Sequence, residues 1–229
     1  MSAQPGMDAA PGASAAEVIG QLEAEASADE KTKIQKRITR PDTRVIGVRM
    51  ATVFAIAKAH SRLDPAEIDR LLDSELYEAR LAAVSIMDFR VRERGVTDEQ
   101  RRELHDLWMR RIDRIDSWDL IDRSAPRVVG LWLIDKPRDE LFELAHSSTW
   151  WHRRAAITAT FLIIRSGDTD DALALCELLA ADPERFVQTN VGVALREIGR
   201  IDRSRLEEFL ARRGADLSAE ARRTARSAL

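Results

Sequence analysis

The segment Ser117-Trp118-Asp119-Leu120-Ile121-Asp122-Arg123-Ser124-Ala125-Pro126 holds the residue types best suited to chemistry in this chain. Read as a helix, it stacks Trp118 and Asp122, four residues apart, on one face. Asp119 and Arg123 can pair on the neighbouring stripe, whereas Asp122 has no Lys or Arg at i±3 or i±4. Pro126 removes the amide that would bond the Asp122 carbonyl, so a bend is expected there. The segment then offers a carboxylate without a local partner and a large π surface, two groups that stabilise positive charge forming beside them. The plainer alternative is a solvent-facing aspartate and a core tryptophan.

A second cluster is Trp150-Trp151-His152-Arg153-Arg154-Ala155-Ala156. Two adjacent tryptophans cannot both face one core, so one belongs at a surface or groove, and the same holds for Arg153 and Arg154. The alternative is one tryptophan packed between helices and two solvated arginines. A third is Val191-Gly192-Val193-Ala194-Leu195-Arg196-Glu197, in which Gly192 allows a partner backbone to come close. Arg196, with Glu197 and Arg200, reads equally as a charged helix face. His60, His105, His146 and His152 are scattered without metal-ligand spacing, so no metal is expected. Cys176 sits in the apolar run ALALCELLA and reads as a buried small hydrophobe. There is no Ser-His-Asp elbow, no Gly-rich phosphate loop and no sign of a small-molecule cofactor.

The elements that must position these groups are helices. The apolar spacing predicts helices at about 15–38, 48–60, 65–73, 75–91, 98–113, 118–131, 137–147, 151–165, 169–181, 184–199, 203–212 and 218–228. Start signals support them: Asp64-Pro65 with Glu67, Thr97 before Asp98-Glu99, Ser117, and Asp182-Pro183 before Glu184. No alternating strand is evident. The similar helices LAAVSIMDF, RAAITATFLI and NVGVALREIG suggest a unit of roughly 35–40 residues, the signature of an all-α, HEAT-like solenoid. Inner helices of such pairs would carry Arg80, Arg90, Arg153, Arg154, Arg165, Arg196 and Arg200 on a basic concave face suited to a duplex backbone. Residues 1–14 (MSAQPGMDAAPGAS) read as a disordered low-complexity tail, and 15–229 as a single repeat domain.

Composition agrees. Of 229 residues, 45% are hydrophobic and 33% charged, with only 10 Gly and 7 Pro, a balance that favours helices with solvated outer faces. No run approaches a membrane span, one cysteine forms no internal disulfide, and no secretory signal is expected because residues 1–30 lack Lys, Arg and a continuous apolar run. Those thirty residues carry a charge of −6, which leaves +3 for the remainder of a chain whose total is −3. Only five of the 36 basic residues are lysines, and arginine grips phosphate with a bidentate fork. Arginine enrichment in ordinary i,i+4 pairs explains the same numbers.

Taken in order, the three clusters resemble the DNA alkylation repair glycosylases of the AlkD family. The resemblance runs through W-D-x-x-D-x-x-x-P (Trp118, Asp119, Asp122, Pro126), W-x-x-R-A-A (Trp151, Arg154, Ala155, Ala156) and G-x-x-L-R-E (Gly192, Leu195, Arg196, Glu197). Weaker echoes are Ile46-Gly47-Val48-Arg49 and Glu78-Ala79-Arg80-Leu81-Ala82-Ala83, and the whole covers about residues 17–225. It implies hydrolysis of the N-glycosidic bond of cationic N3- or N7-alkylated purines in double-stranded DNA, during base excision repair, on a lesion that stays stacked. By position, Asp122 resembles the catalytic carboxylate and Trp118 the aromatic wall beside the deoxyribose. Arg154, Arg196, Arg153, Arg200, Arg49 and Trp151 are the corresponding DNA-binding candidates. An alkylated purine is already a cationic leaving group, so an anion beside the developing oxocarbenium matters more than a strong acid.

Two departures stand out. The family places a tryptophan directly after the glycine of its third motif, where this chain has Val193, with Trp150 as a candidate replacement. The expected N-terminal aromatic is absent from ITRPDTRVIG. Lys136 is the only lysine beyond Lys58, so no amine nucleophile is at hand for strand cleavage and a monofunctional enzyme is expected. The expected protein is a cytoplasmic monomer, nucleoid-associated when bound to DNA, with no membrane partner. A non-catalytic DNA-binding HEAT-like protein and a protein-interaction scaffold remain the alternatives.

Overall fold

Helix starts in this chain are written in residues that satisfy orphan backbone amides. Asp64 accepts from the Ala66 amide ahead of Pro65, and Thr97 forms a reciprocal capping box with Gln100. The computed structural model describes residues 13–38, 40 and 43–229. Almost all of the expected tail at 1–14 lies outside them. The described chain divides into two compact units, one reaching to Ile115 and one spanning Asp116–Leu229.

The first unit holds α1 (Ala15–Ala24), α2 (Ala28–Gln35), α3 (Met50–Ala59), α4 (Pro65–Asp73), α5 (Tyr77–Val91) and α6 (Asp98–Arg110), then a 3-10 turn at Ile112–Arg114. The single helix expected over 15–38 is two. The break falls at Ser27, whose amide donates to the Gly47 carbonyl at 2.9 Å while Asp29 and Glu30 enter the first turn of α2. Gly47 sits at φ +92°, and a Cβ there would lie 2.1 Å from the Ser27 carbonyl oxygen. α5 is buried along most of its length, with Leu81, Ala82, Ala83, Val84, Ile86 and Met87 facing several neighbours at once. The weak echoes meet here: the buried Glu78 accepts from the amides of Ile46 at 3.2 Å, Gly47 at 2.7 Å and Val48 at 3.3 Å.

The second unit holds α7 (Trp118–Ser124), a π-helical segment (Ala125–Gly130), α8 (Asp139–Ala145), α9 (Trp150–Arg165), α10 (Asp170–Leu179), α11 (Arg185–Ile201), α12 (Arg203–Arg213) and α13 (Ala219–Arg226). α11 begins later than Asp182-Pro183 suggests, because Glu184 itself accepts from the Phe186 amide. The architecture is all-helical, consistent with a helical-repeat solenoid, and the one isolated bridge among the described residues joins Arg44 to Leu76. Lateral contacts recur at a separation of 32 residues in both units: Ile46 to Glu78 and Ser61 to Glu93, then Asp122 to Arg154 and Thr158 to Asn190. Measured helix to helix, α9, α11 and α13 begin at residues 150, 185 and 219, 35 and 34 residues apart and close to the unit expected from sequence. Among the described residues no helix is long and apolar enough to cross a membrane.

Candidate functional site

The site is built in the second unit, where α7 runs into the π-helical segment. Pro126 has no N–H to give to the Asp122 carbonyl, and the ladder shifts register, with the Leu131 amide donating to the Pro126 carbonyl at 3.1 Å. The expected bend is therefore a widened turn. Gly130 seats that turn on α9, since a Cβ there would lie 2.0 Å from the Ala159 carbonyl oxygen. Of the two aspartates, Asp119 is buried and spent locally, accepting from the Ser117 hydroxyl at 2.6 Å and the Leu120 amide at 3.0 Å. Asp122 faces outward with its side chain 38% exposed, and Trp118 is half-buried one turn before it.

Asp122 is not without a partner. Arg154, only 3% exposed, forms a bidentate fork to it, Nε to Oδ1 at 3.1 Å and Nη2 to Oδ2 at 2.6 Å. The remaining Arg154 nitrogen, Nη1, donates to the Phe186 carbonyl. The Asn190 amide adds a further bond to Asp122 Oδ1 at 3.0 Å. The i±4 rule missed these partners because they come from neighbouring helices: Arg154 lies 32 residues away on α9 and Asn190 lies 68 away on α11.

The adjacent arginines part company, as their neighbouring positions require. Arg153 turns to the other side and locks the loop before α11, donating to both oxygens of Asp182 at 2.6 and 3.1 Å and to the Ser147 and Ser148 carbonyls. The bond to Asp182 holds its guanidinium further towards the protonated form than burial alone would allow. The tryptophans part too. Trp150 stacks on Phe186 with ring centres 5.1 Å apart, while Trp151 meets both Trp150 and His152 edge-on.

Along α11 the register places the remaining candidates. Gly192 does bring a backbone close: a Cβ would lie 2.8 Å from the Ala221 carbonyl oxygen, so the approaching backbone is this chain's own α13. Val193 is half-buried, three residues beyond Asn190 on α11. One turn further, Glu197 gathers three arginines: Arg196 at 3.0 Å, Arg200 at 2.7 Å and Arg165 at 3.7 Å. Arg200 and Arg165 are 58% and 62% exposed, so the cluster shows surplus positive charge to solvent. Arg49 belongs to the first unit, exposed ahead of α3 and 3.7 Å from Glu30.

The sequence reading passed over Asn190, Thr158 and the Phe186 carbonyl. Their signal is faint but present: Thr158 and Asn190 are polar interruptions in otherwise apolar helix faces, and both are buried. Asp122 and Arg154 come together with Trp118 one turn before Asp122 on α7, Arg196 and Arg200 share Glu197, Arg153 pairs with Asp182, and Trp151 packs edge-on to Trp150 and His152. No curated protein matches the chain. The family model described as DNA alkylation repair enzyme matches residues 18–229.

Proposed function

Because the chain belongs to the DNA alkylation repair enzyme family, we propose that it is a monofunctional glycosylase that removes cationic N3- or N7-alkylated purines from duplex DNA in base excision repair. The observation that carries the reading is the Asp122 carboxylate, oriented by two neighbouring helices and still 38% exposed, on the same face as Trp118. As the C1′–N bond breaks, the base leaves with the bonding electron pair and its positive charge is cancelled. Positive charge moves to the sugar ring, where Asp122 and the π face of Trp118 stabilise it. Water then adds at C1′ and loses a proton, leaving an abasic site and the free base.

Arg154 acts in this reading chiefly through Asp122, and the group of Arg165, Arg196 and Arg200 grips backbone phosphate. The absence of a lyase step is supported by Lys136, whose ammonium lies 3.9 Å from the Trp132 ring centre and 2.7 Å from Asp135. The protein works as a HEAT-like monomer with a basic inner face, cytoplasmic and nucleoid-associated when on DNA. A second reading, duplex binding without turnover, draws on Val193, which leaves the position after Gly192 without an aromatic wall.

The test is release of 7-methylguanine from a duplex bearing one N7-methylguanine, with wild type beside Asp122→Asn. Release by the wild type and at least a 100-fold loss in the variant, at unchanged duplex affinity, is expected. No release with salt-dependent duplex binding favours the binding-only reading, and neither release nor binding favours a protein scaffold.

A further inference from the structure

A carboxylate offers about four lone-pair positions, and it matters which of them are taken. On Asp122, Oδ1 accepts from Arg154 Nε at 3.1 Å and from Asn190 Nδ2 at 3.0 Å, while Oδ2 accepts only from Arg154 Nη2 at 2.6 Å among the described residues. The orientation of the Asn190 amide follows from its neighbours. The Thr158 hydroxyl gives its proton to the Arg154 carbonyl at 2.6 Å, so it can only accept from Asn190, which it meets at 2.6 Å. Asp122 can only accept as well. Both partners therefore demand a donor, and the NH2 end of Asn190 must lie between them.

Neither residue has an evident reason to be polar on packing grounds. Asn190 is 3% exposed and Thr158 fully buried, on helix faces shared with Val187, Ala194 and Ala155. Burying an amide costs free energy that its hydrogen bonds only offset, so an apolar residue of similar size would serve a packing role at least as well. An Arg fork alone leaves a carboxylate free to hinge about the line joining its two oxygens. A third donor from another helix removes that motion.

We propose that Asn190, anchored by Thr158, is a positioning residue for Asp122: it completes the occupancy of Oδ1 and leaves Oδ2 as the oxygen that turns a lone pair to the deoxyribose. The inference rests on the glycosylase reading of the same site. Removing the third donor frees the carboxylate without touching the DNA, so the loss falls on the chemical step.

The experiment is single-turnover base release from the N7-methylguanine duplex, with duplex Kd measured in parallel. Asn190→Ala should slow release about 10-fold with Kd within about twofold of wild type. Thr158→Val should slow it about threefold, and Thr158→Ser, which keeps the hydroxyl, should restore it. The Thr158 pair preserves the test should Asn190→Ala fold poorly. A spectroscopic readout is independent of turnover: the Asn190 side-chain 15N–1H signals should exchange slowly and shift in Asp122→Asn. The role is overturned if Asn190→Ala releases base as fast as wild type, if rate and affinity fall together, if Thr158→Ser is as slow as Thr158→Val, or if the Asn190 signals ignore Asp122→Asn. A wild type that releases no base refutes the glycosylase reading beneath it instead.

Discussion

Replacing Arg154 with methionine separates what the guanidinium does for the fold from what it does for the site. Methionine refills most of the buried stem, so the cavity contribution stays small. What disappears is a buried cation making two charge-assisted bonds to Asp122 and one to the Phe186 carbonyl. Removing one partner of a buried ion pair costs about 3–5 kcal/mol. Asp122 is 38% exposed and regains water when its partner leaves, which points to the low end, about 3 kcal/mol. For a chain of this size that corresponds to a fall in Tm of about 6–12 °C. Urea unfolding followed by tryptophan fluorescence is a suitable assay, because Trp118, Trp132, Trp150 and Trp151 all lie in the second unit and Trp108 alone in the first. In a double-mutant cycle with Asp122→Asn the pair should show a coupling of about 1.5 kcal/mol. A loss below about 1 kcal/mol, or a coupling below about 0.3 kcal/mol, refutes the view that Arg154 and Asp122 are one structural unit.

Three further outcomes are expected. Gly192→Ala forces α11 off the Ala221 backbone, only 2.8 Å from the new Cβ, and should lower unfolding stability by about 1–3 kcal/mol; wild-type stability in urea would show that the two helices part freely. Cys176 is fully buried and desolvation pushes its thiol pKa up, so a thiol reagent at pH 8 should label it only after denaturation; labelling of the native protein at the rate of a free thiol contradicts this. Asp168 is held below the ordinary aspartate value of 3.8 chiefly by its hydrogen bond from Arg138, so its stabilising effect is present above about pH 4 and is lost as pH falls through the depressed value. Asp168→Asn should therefore be less stable than wild type at pH 7, with the difference shrinking as the medium is acidified, and a constant difference from pH 7 to pH 3 would argue against it.

The helices were legible because their information is local. Thr97 with Gln100 and Asp64 with Pro65 write their own starts, and the apolar spacing from Leu81 to Val91 admits no other element. Pro126 announced a disturbance after Asp122, although the π-helical register it takes, with the Leu131 amide bonded to the Pro126 carbonyl, is not written in any local spacing. The carboxylate and the tryptophan of the candidate site were visible for the same local reason. Their partners were not, because Arg154 and Asn190 reach Asp122 only through the lateral stacking of helices, and no spacing within one helix encodes that contact. Arg153 and Arg154 make the point sharply: adjacent in sequence and alike in charge, one fastens a loop and the other the Asp122 carboxylate.

The 32-residue step that joins Asp122 to Arg154, and Thr158 to Asn190, also sets the order in which heat should disarm the molecule. Each successive rung of the stack supplies a different part of one apparatus, so the apparatus exists only while neighbouring rungs stay zipped. Peeling α12 and α13 away from the chain end would unseat α11 and release Asn190 and the Phe186 carbonyl, while α7 and α9 still held together. Function would then fade on warming before the bulk of the helices melted, and tightening the outermost rung would lengthen working life at high temperature without altering a single atom of the site.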